Sequence, residues 1–76
     1  MSQSSKYAVI FERAERNWAA YVPDLPGCVT TGATLEETQV GIREAIEGHL
    51  QVLRDFGESI PEPTSVAGEV EIVSAA

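Results

Sequence analysis

The stretch YVPDLPGCVTTG, residues 21–32, joins two extended segments and decides how the chain folds. Pro23 has no backbone N–H and therefore ends the strand that precedes it. Asp24 can accept a hydrogen bond from the backbone two residues later, and Pro26 followed by Gly27 suits the two central positions of a type II turn. The β-branched residues near its end favour a new strand. We therefore predict a structural turn made by Pro23, Asp24, Pro26 and Gly27.

Alternating apolar residues predict four strands around this turn. The first, KYAVIFE at residues 6–12, carries apolar groups on both faces and is expected to be an inner strand. The second is WAAYV at residues 18–22, and the third covers residues 29–31. The last, in GEVEIV at residues 68–73, has one apolar and one acidic face, which is typical of an edge strand.

One long helix is predicted between the third and fourth strands, from Leu35 to Phe56. Thr34 is a suitable N-cap, and Glu37 three residues later completes a capping-box pattern. Gly41 and Gly48 fall outside the apolar stripe, on the outer side of the helix. They either allow another chain to pack closely there or are exposed glycines without a packing role. The apolar stripe contains Leu35, Ile42, Ala45, Ile46, Leu50, Leu53 and Phe56, with Thr38 and His49 inside it. The predicted fold class is α+β in the order β-β-β-α-β, an antiparallel meander plus a fourth strand, with the helix packed on the sheet.

The length and the net charge of the chain limit which classes of function it can have. A chain of 76 residues predicts one domain, and its small core favours self-association as a homodimer or tetramer. Twelve acids against five bases give a net charge of −7, which argues against direct nucleic-acid binding by this chain alone and favours a basic partner. No run of about 18 apolar residues is present, so we expect no membrane span. The polar N-terminus and the single cysteine predict a cytoplasmic protein.

Candidate catalytic groups are few. Cys28 and His49 could form a nucleophile–base pair, although a free cysteine is more often a small buried hydrophobe. The carboxylates of Glu12, Asp24, Glu69 and Glu71 could hold metal ions in a nuclease, but nothing in their spacing forces them together. We therefore predict no enzyme activity, no metal and no cofactor.

A series of motifs in a fixed order resembles the HicB-like antitoxin family. VPDLPGC is followed by TLEE at the helix start, then by IREAIEGHL and DFGESIPEP, and the resemblance covers about residues 6–63. It implies a fold like a partial ribonuclease H domain. It also implies that the protein neutralises a small basic mRNA-cleaving toxin of the HicA type by covering the toxin's active site. Many members of the family add a C-terminal DNA-binding segment, whereas this sequence ends soon after GEVEIV. We therefore expect a single domain over residues 1–76, with a core of about 6–73 and no operator binding by this chain alone.

The acidic surface is the expected partner-binding region. Charge and predicted exposure select the outer face of the helix, the acidic face of the last strand, or both, as the contact with the toxin. The selected residues are Glu44, Glu47, Glu69 and Glu71. Two other functions remain open: an oligomeric regulatory or scaffold module that has no toxin, and a metal-dependent nuclease of the ribonuclease H type.

Overall fold

Three antiparallel strands and one helix make up the ordered core of the protein. The computed structural model describes residues 5–74. The strands are β1 (Ile10–Arg13), β2 (Trp18–Tyr21) and β3 (Val29–Gly32), and the helix is α1 (Leu35–Asp55). The strands lie in the order β1-β2-β3, so β2 is central and β1 is an edge strand. This confirms the α+β class and the antiparallel meander followed by one long helix.

The register of the sheet separates a helix-facing side from an outer side. Ala20 lies between Phe11 of β1 and Thr30 of β3, and this row faces α1. Tyr21 lies between Ile10 and Val29 in the next row, which faces away from the helix. The side chains alternate because successive residues of a strand point to opposite faces. The helix therefore covers only one side of the sheet.

Two consecutive turns connect β2 to β3. The Leu25 N–H donates to the Val22 carbonyl at 3.1 Å, and the Cys28 N–H donates to the Leu25 carbonyl at 3.0 Å. The second turn has Pro26 and Gly27 at its centre, and Gly27 has φ = +84°, the backbone geometry of a type II turn. The Val22 N–H also donates to the Cys28 carbonyl at 3.1 Å and closes the loop.

Both ends of α1 are capped. Thr34 is the N-cap residue, and its side-chain oxygen accepts a hydrogen bond from the Glu37 N–H at 3.1 Å. The Glu37 carboxylate reaches one residue further back than in the usual capping box and accepts from the Ala33 N–H. At the other end the Gly57 N–H donates to the Arg54 carbonyl and the Glu58 N–H to the Leu53 carbonyl, which is the Schellman pattern. In the described part of the chain, no helix combines the length and apolar character needed to cross a membrane.

The core lies between α1 and the helix-facing side of β2 and the turns. Its buried apolar residues are Ala20, Val22, Leu25, Cys28 and Ile42, with Thr38 buried beside them. The Thr38 hydroxyl donates to the Thr34 carbonyl at 2.7 Å, so its polar atom is satisfied inside the core. Tyr7, Val9, Phe11, Ala45, Ile46 and Leu50 pack around this cluster and are partly buried.

Close approach of the helix to β3 depends on two glycines. A Cβ on Gly32 would lie 2.6 Å from the Thr38 Oγ1, and a Cβ on Gly41 would lie 3.0 Å from the Thr30 Oγ1. The prediction that Gly41 lies on the outer side of the helix is therefore wrong, because this glycine lets the helix backbone approach β3. Gly48 is exposed and has open space around it.

Three other predictions are corrected by the structure. The fourth strand is absent: residues 58–74 contain no strand, and Val70 and Ile72 are exposed rather than paired with the sheet. The first strand is shorter than predicted and is not an inner strand, because no strand pairs with its other side among residues 5–74. Phe56 does not join the core and is 76% exposed, because it is the C-cap residue, where the chain leaves the helix and its apolar stripe.

Replacing Gly27 by alanine is expected to lower the free energy of unfolding by about 1 kcal/mol or more, because φ is +84° there and a Cβ disfavours that conformation. Urea denaturation of both proteins measures the difference. Gly48→Ala is the matched control, since an exposed helical glycine gains roughly 1 kcal/mol on the same substitution. Equal stability of Gly27→Ala and the wild type would contradict the assigned turn geometry.

Candidate functional site

A cleft lies between β1 and α1 and is here called the β1–α1 cleft. It arises because α1 packs against β3 and β2, which leaves the helix-facing side of β1 partly uncovered. Its volume is about 980 Å³ and it is open to solvent on one side. The apolar lining consists of Tyr7, Val9, Phe11, Val40, Ile42 and Ile46.

The rim of the β1–α1 cleft is polar and carries two acidic residues and one basic residue. It is formed by Ser5, Gln39, Arg43, Glu44 and Glu47. Glu44 and Glu47 are therefore placed by the helix at the border of an apolar surface, and both are exposed. Glu69 and Glu71 are also exposed but lie on the C-terminal segment, outside the lining of the cleft. The four predicted partner-binding residues thus fall in two separate groups.

Asp24 holds the segment that follows the helix. Its Oδ2 accepts hydrogen bonds from the backbone N–H groups of Thr64 and Ser65, each at 2.9 Å. Its Oδ1 accepts from the Thr64 hydroxyl at 2.9 Å and from the Ser65 hydroxyl at 3.0 Å. These bonds lower the pKa of the Asp24 carboxyl below its usual value, and the bond from the Ser65 N–H has the largest effect. Asp24 is therefore an anchor between the turn and residues 64–65.

Tyr7 provides a second attachment for the same segment. Its hydroxyl donates to the carbonyl of Pro61. Tyr7 also lines the β1–α1 cleft, so the residues before β1, the cleft and the proline-containing connector meet at this side chain. The connector is held at Pro61 and again at residues 64–65.

Cys28 and His49 lie near each other but lack the features of a catalytic pair. Both line a shallow hollow between the start of β3 and the last half of α1. Burial raises the pKa of the Cys28 thiol, whereas a nucleophilic cysteine needs a lowered pKa to form the thiolate. Cys28 belongs to the buried core cluster, which agrees with a packing role.

The candidate nuclease carboxylates do not assemble into a metal centre. Within residues 5–74, no group of three or more His, Cys, Asp and Glu side chains is close enough to hold a metal ion. Glu12 points to the outer side of the sheet, and the Asp24 carboxylate is occupied by Thr64 and Ser65.

Comparison with known proteins identifies the family of this small α+β protein. The model of the HicB-like antitoxins of bacterial toxin–antitoxin systems matches residues 7–73. This chain belongs to the HicB-like antitoxin family. Membership in this family suggests a non-enzymatic role.

Individual relatives include both short and longer proteins. A UPF0150 protein of Thermoplasma acidophilum is 40% identical over 74% of this chain and 83% of its own length. A UPF0150 protein of Helicobacter pylori is 37% identical over 87% of this chain and 93% of its own length. Antitoxin HicB 2 of Photorhabdus laumondii is 32% identical over 86% of this chain, but the match spans only 47% of that antitoxin.

Two parts of the candidate site were not found from the sequence. The pairing of Asp24 with Thr64 and Ser65 joins residues 40 and 41 positions apart, and only the Thr-Ser pair after the prolines hints at it. The β1–α1 cleft depends on which strands the helix covers, which no local pattern specifies. Val9 and Phe11 share one face of the first predicted strand, but its other face is apolar too, so the pattern does not show which face the helix covers.

The Asp24 anchor is expected to weaken in acid. Because hydrogen bonds lower the pKa of Asp24 in the folded chain, the stabilisation is complete above the usual value of 3.8 and is lost as the pH falls through the lowered value. Amide hydrogen exchange at Thr64 and Ser65, followed by NMR, should accelerate over that range relative to the amides of β2. In Asp24→Asn the same amides should exchange faster at neutral pH. Unchanged protection in this variant would show that the anchor does not hold the segment.

Proposed function

We propose that this chain is an antitoxin that neutralises a small basic mRNA-cleaving toxin of the HicA type by covering the toxin's active site. The family match over residues 7–73 carries the proposal. The β1–α1 cleft supports it, because a protein that binds RNA must present lysine and arginine, and Glu44 and Glu47 at the rim complement them.

The composition of the cleft suits a protein partner better than a small ligand. Protein interfaces combine an apolar centre that becomes dry with a polar rim that stays in contact with water. Val40 and Ile46 of α1 contribute to such a centre, while Glu44 and Glu47 contribute to the rim. An arginine or lysine of the toxin can lay its aliphatic part on the apolar floor and its charge at the rim.

Charge also acts before contact. With a net charge of −7, the chain attracts a basic partner over a distance of about 10 Å at 0.1 M salt. Such steering raises the association rate more than it changes the dissociation rate. The acidic residues outside the cleft, including Glu69 and Glu71, contribute to this long-range attraction.

The proposal also states where the chain acts and in which oligomeric state. We infer that the chain acts in the cytoplasm as a homodimer or tetramer, as a single domain related to a partial ribonuclease H fold. Its small core favours self-association, because a short chain buries a limited share of its surface. A stoichiometric small basic protein recovered with the tagged chain from its native host would support the proposal. Recovery of the chain alone would favour the regulatory module without a toxin.

Reversing the charges of the cleft rim is expected to slow toxin binding. The double variant Glu44→Lys/Glu47→Lys should lower the association rate constant by about tenfold at low salt, with a smaller effect at high salt. Surface plasmon resonance with the co-purified toxin measures both rates. Glu69→Lys/Glu71→Lys tests the second acidic group in the same way.

A control variant separates local from global charge. Glu15→Lys/Glu58→Lys changes the net charge by the same amount at two exposed positions outside the cleft. We expect it to reduce the association rate less than the rim variant does. Equal effects of the two variants would show that the rim has no special role, and no effect of any variant would refute the acidic contact.

A further inference from the structure

The C-terminal arm, residues 66–73, carries apolar side chains that are exposed to solvent. Val66 is 93% exposed, Val70 83% and Ile72 80%, although each is a residue type that usually lies in a core or a sheet. Val70 and Ile72 alternate with Glu69 and Glu71, so an extended arm has one apolar and one acidic face. This alternation is typical of a β-strand, but residues 66–73 pair with no strand of the described chain.

The edge of β1 offers the complementary half of such a pairing. β2 occupies one side of β1, and no strand of the described chain occupies the other. Beside this edge, Val9 and Phe11 are only partly buried and line the β1–α1 cleft. A strand added at this edge would pair its backbone with β1 and direct every second side chain toward the cleft.

The connector is fixed on its own domain, but the arm that follows it does not pair with the sheet of that domain. Pro61 and Pro63 restrict the connector to extended conformations, and Asp24 fixes it at residues 64–65. Val66, Val70 and Ile72 are each at least 80% exposed, so the arm does not pack on the body of its own domain.

We propose that two copies of this chain exchange their C-terminal arms, and that the arm of each copy forms a strand on the β1 edge of the other. Val70 and Ile72 enter the β1–α1 cleft beside Val9 and Phe11. Glu69 and Glu71 point to the opposite face and stay in water, away from the rim of the cleft. The fourth strand thus forms between copies rather than within one.

A second copy is the occupant that the structure favours. The arm is anchored, extended and exposed, which is the state from which an element is exchanged at low cost. The exchange pairs the open edge of β1 and also buries the exposed valine and isoleucine side chains. It requires no toxin, so it is tested on the chain alone and its failure leaves the antitoxin proposal standing.

Sedimentation equilibrium over a range of concentrations tests the role of the arm. The wild-type chain should form a dimer, and Val70→Asn/Ile72→Asn should raise its dissociation constant by about tenfold or more, because two aliphatic side chains lose their burial. These changes leave the net charge unchanged and lie at exposed positions, so the folded monomer persists and circular dichroism checks it. Glu69→Gln/Glu71→Gln is the matched control on the other face of the arm and should leave the dimer intact. A monomeric wild type, or a dimer that the asparagine variant does not weaken, would overturn the proposal.

Crosslinking between distinguishable copies tests exchange itself. One version carries Val9→Cys and a mass tag, the other carries Ile72→Cys, and both carry Cys28→Ala. After mixing, a short bismaleimide should join tagged to untagged chains. A third version with both cysteines in one chain, diluted into an excess of cysteine-free chains, should lose its intramolecular product if the arms exchange. A persistent intramolecular crosslink there, with none between mixed chains, would show that each arm folds onto its own sheet and would overturn the proposal. The exchanged arm covers the side of the cleft formed by Val9 and Phe11 and leaves the α1 side, with Glu44 and Glu47, open to a toxin.

Discussion

The closure of the loop between β2 and β3 is the interaction on which the rest of the structure depends. The Val22 N–H bonded to the Cys28 carbonyl, with Leu25 fully buried inside the loop, sets the register of the two strands. A shift by one residue would turn Ala20 and Thr30 to the outer face and remove the surface on which the helix packs. The same loop presents Asp24 outward, so the segment after the helix is also positioned by it.

Local chemistry explains why the turn and the helix could be predicted from the sequence. Proline and glycine at the centre of a turn, a threonine before a helix and a glycine after it each act on backbone atoms within a few residues. For this reason the bounds of α1 agree with its pattern to within one residue. Turns and helix ends can therefore be predicted from a few neighbouring residues.

Features that join distant parts of the chain could not be predicted in the same way. The alternation in residues 68–73 predicts an extended segment with one apolar face, but it does not say which edge that segment would meet or in which copy. The position of β1 at the edge and the β1–α1 cleft follow from where the helix crosses the sheet. That crossing depends on the close approach at Gly32 and Gly41, two glycines whose roles become visible only in three dimensions.

The burial of Cys28 has a consequence for the behaviour of the protein under oxidative stress. Peroxides and disulfides react with thiolates that they can reach, and this thiol is both covered by the core and held in its protonated form. It is also the only cysteine of the chain. Oxidation of this thiol, or a disulfide between two copies, would therefore require the core around β3 to open first, so the rate of such a reaction would report on opening of the fold.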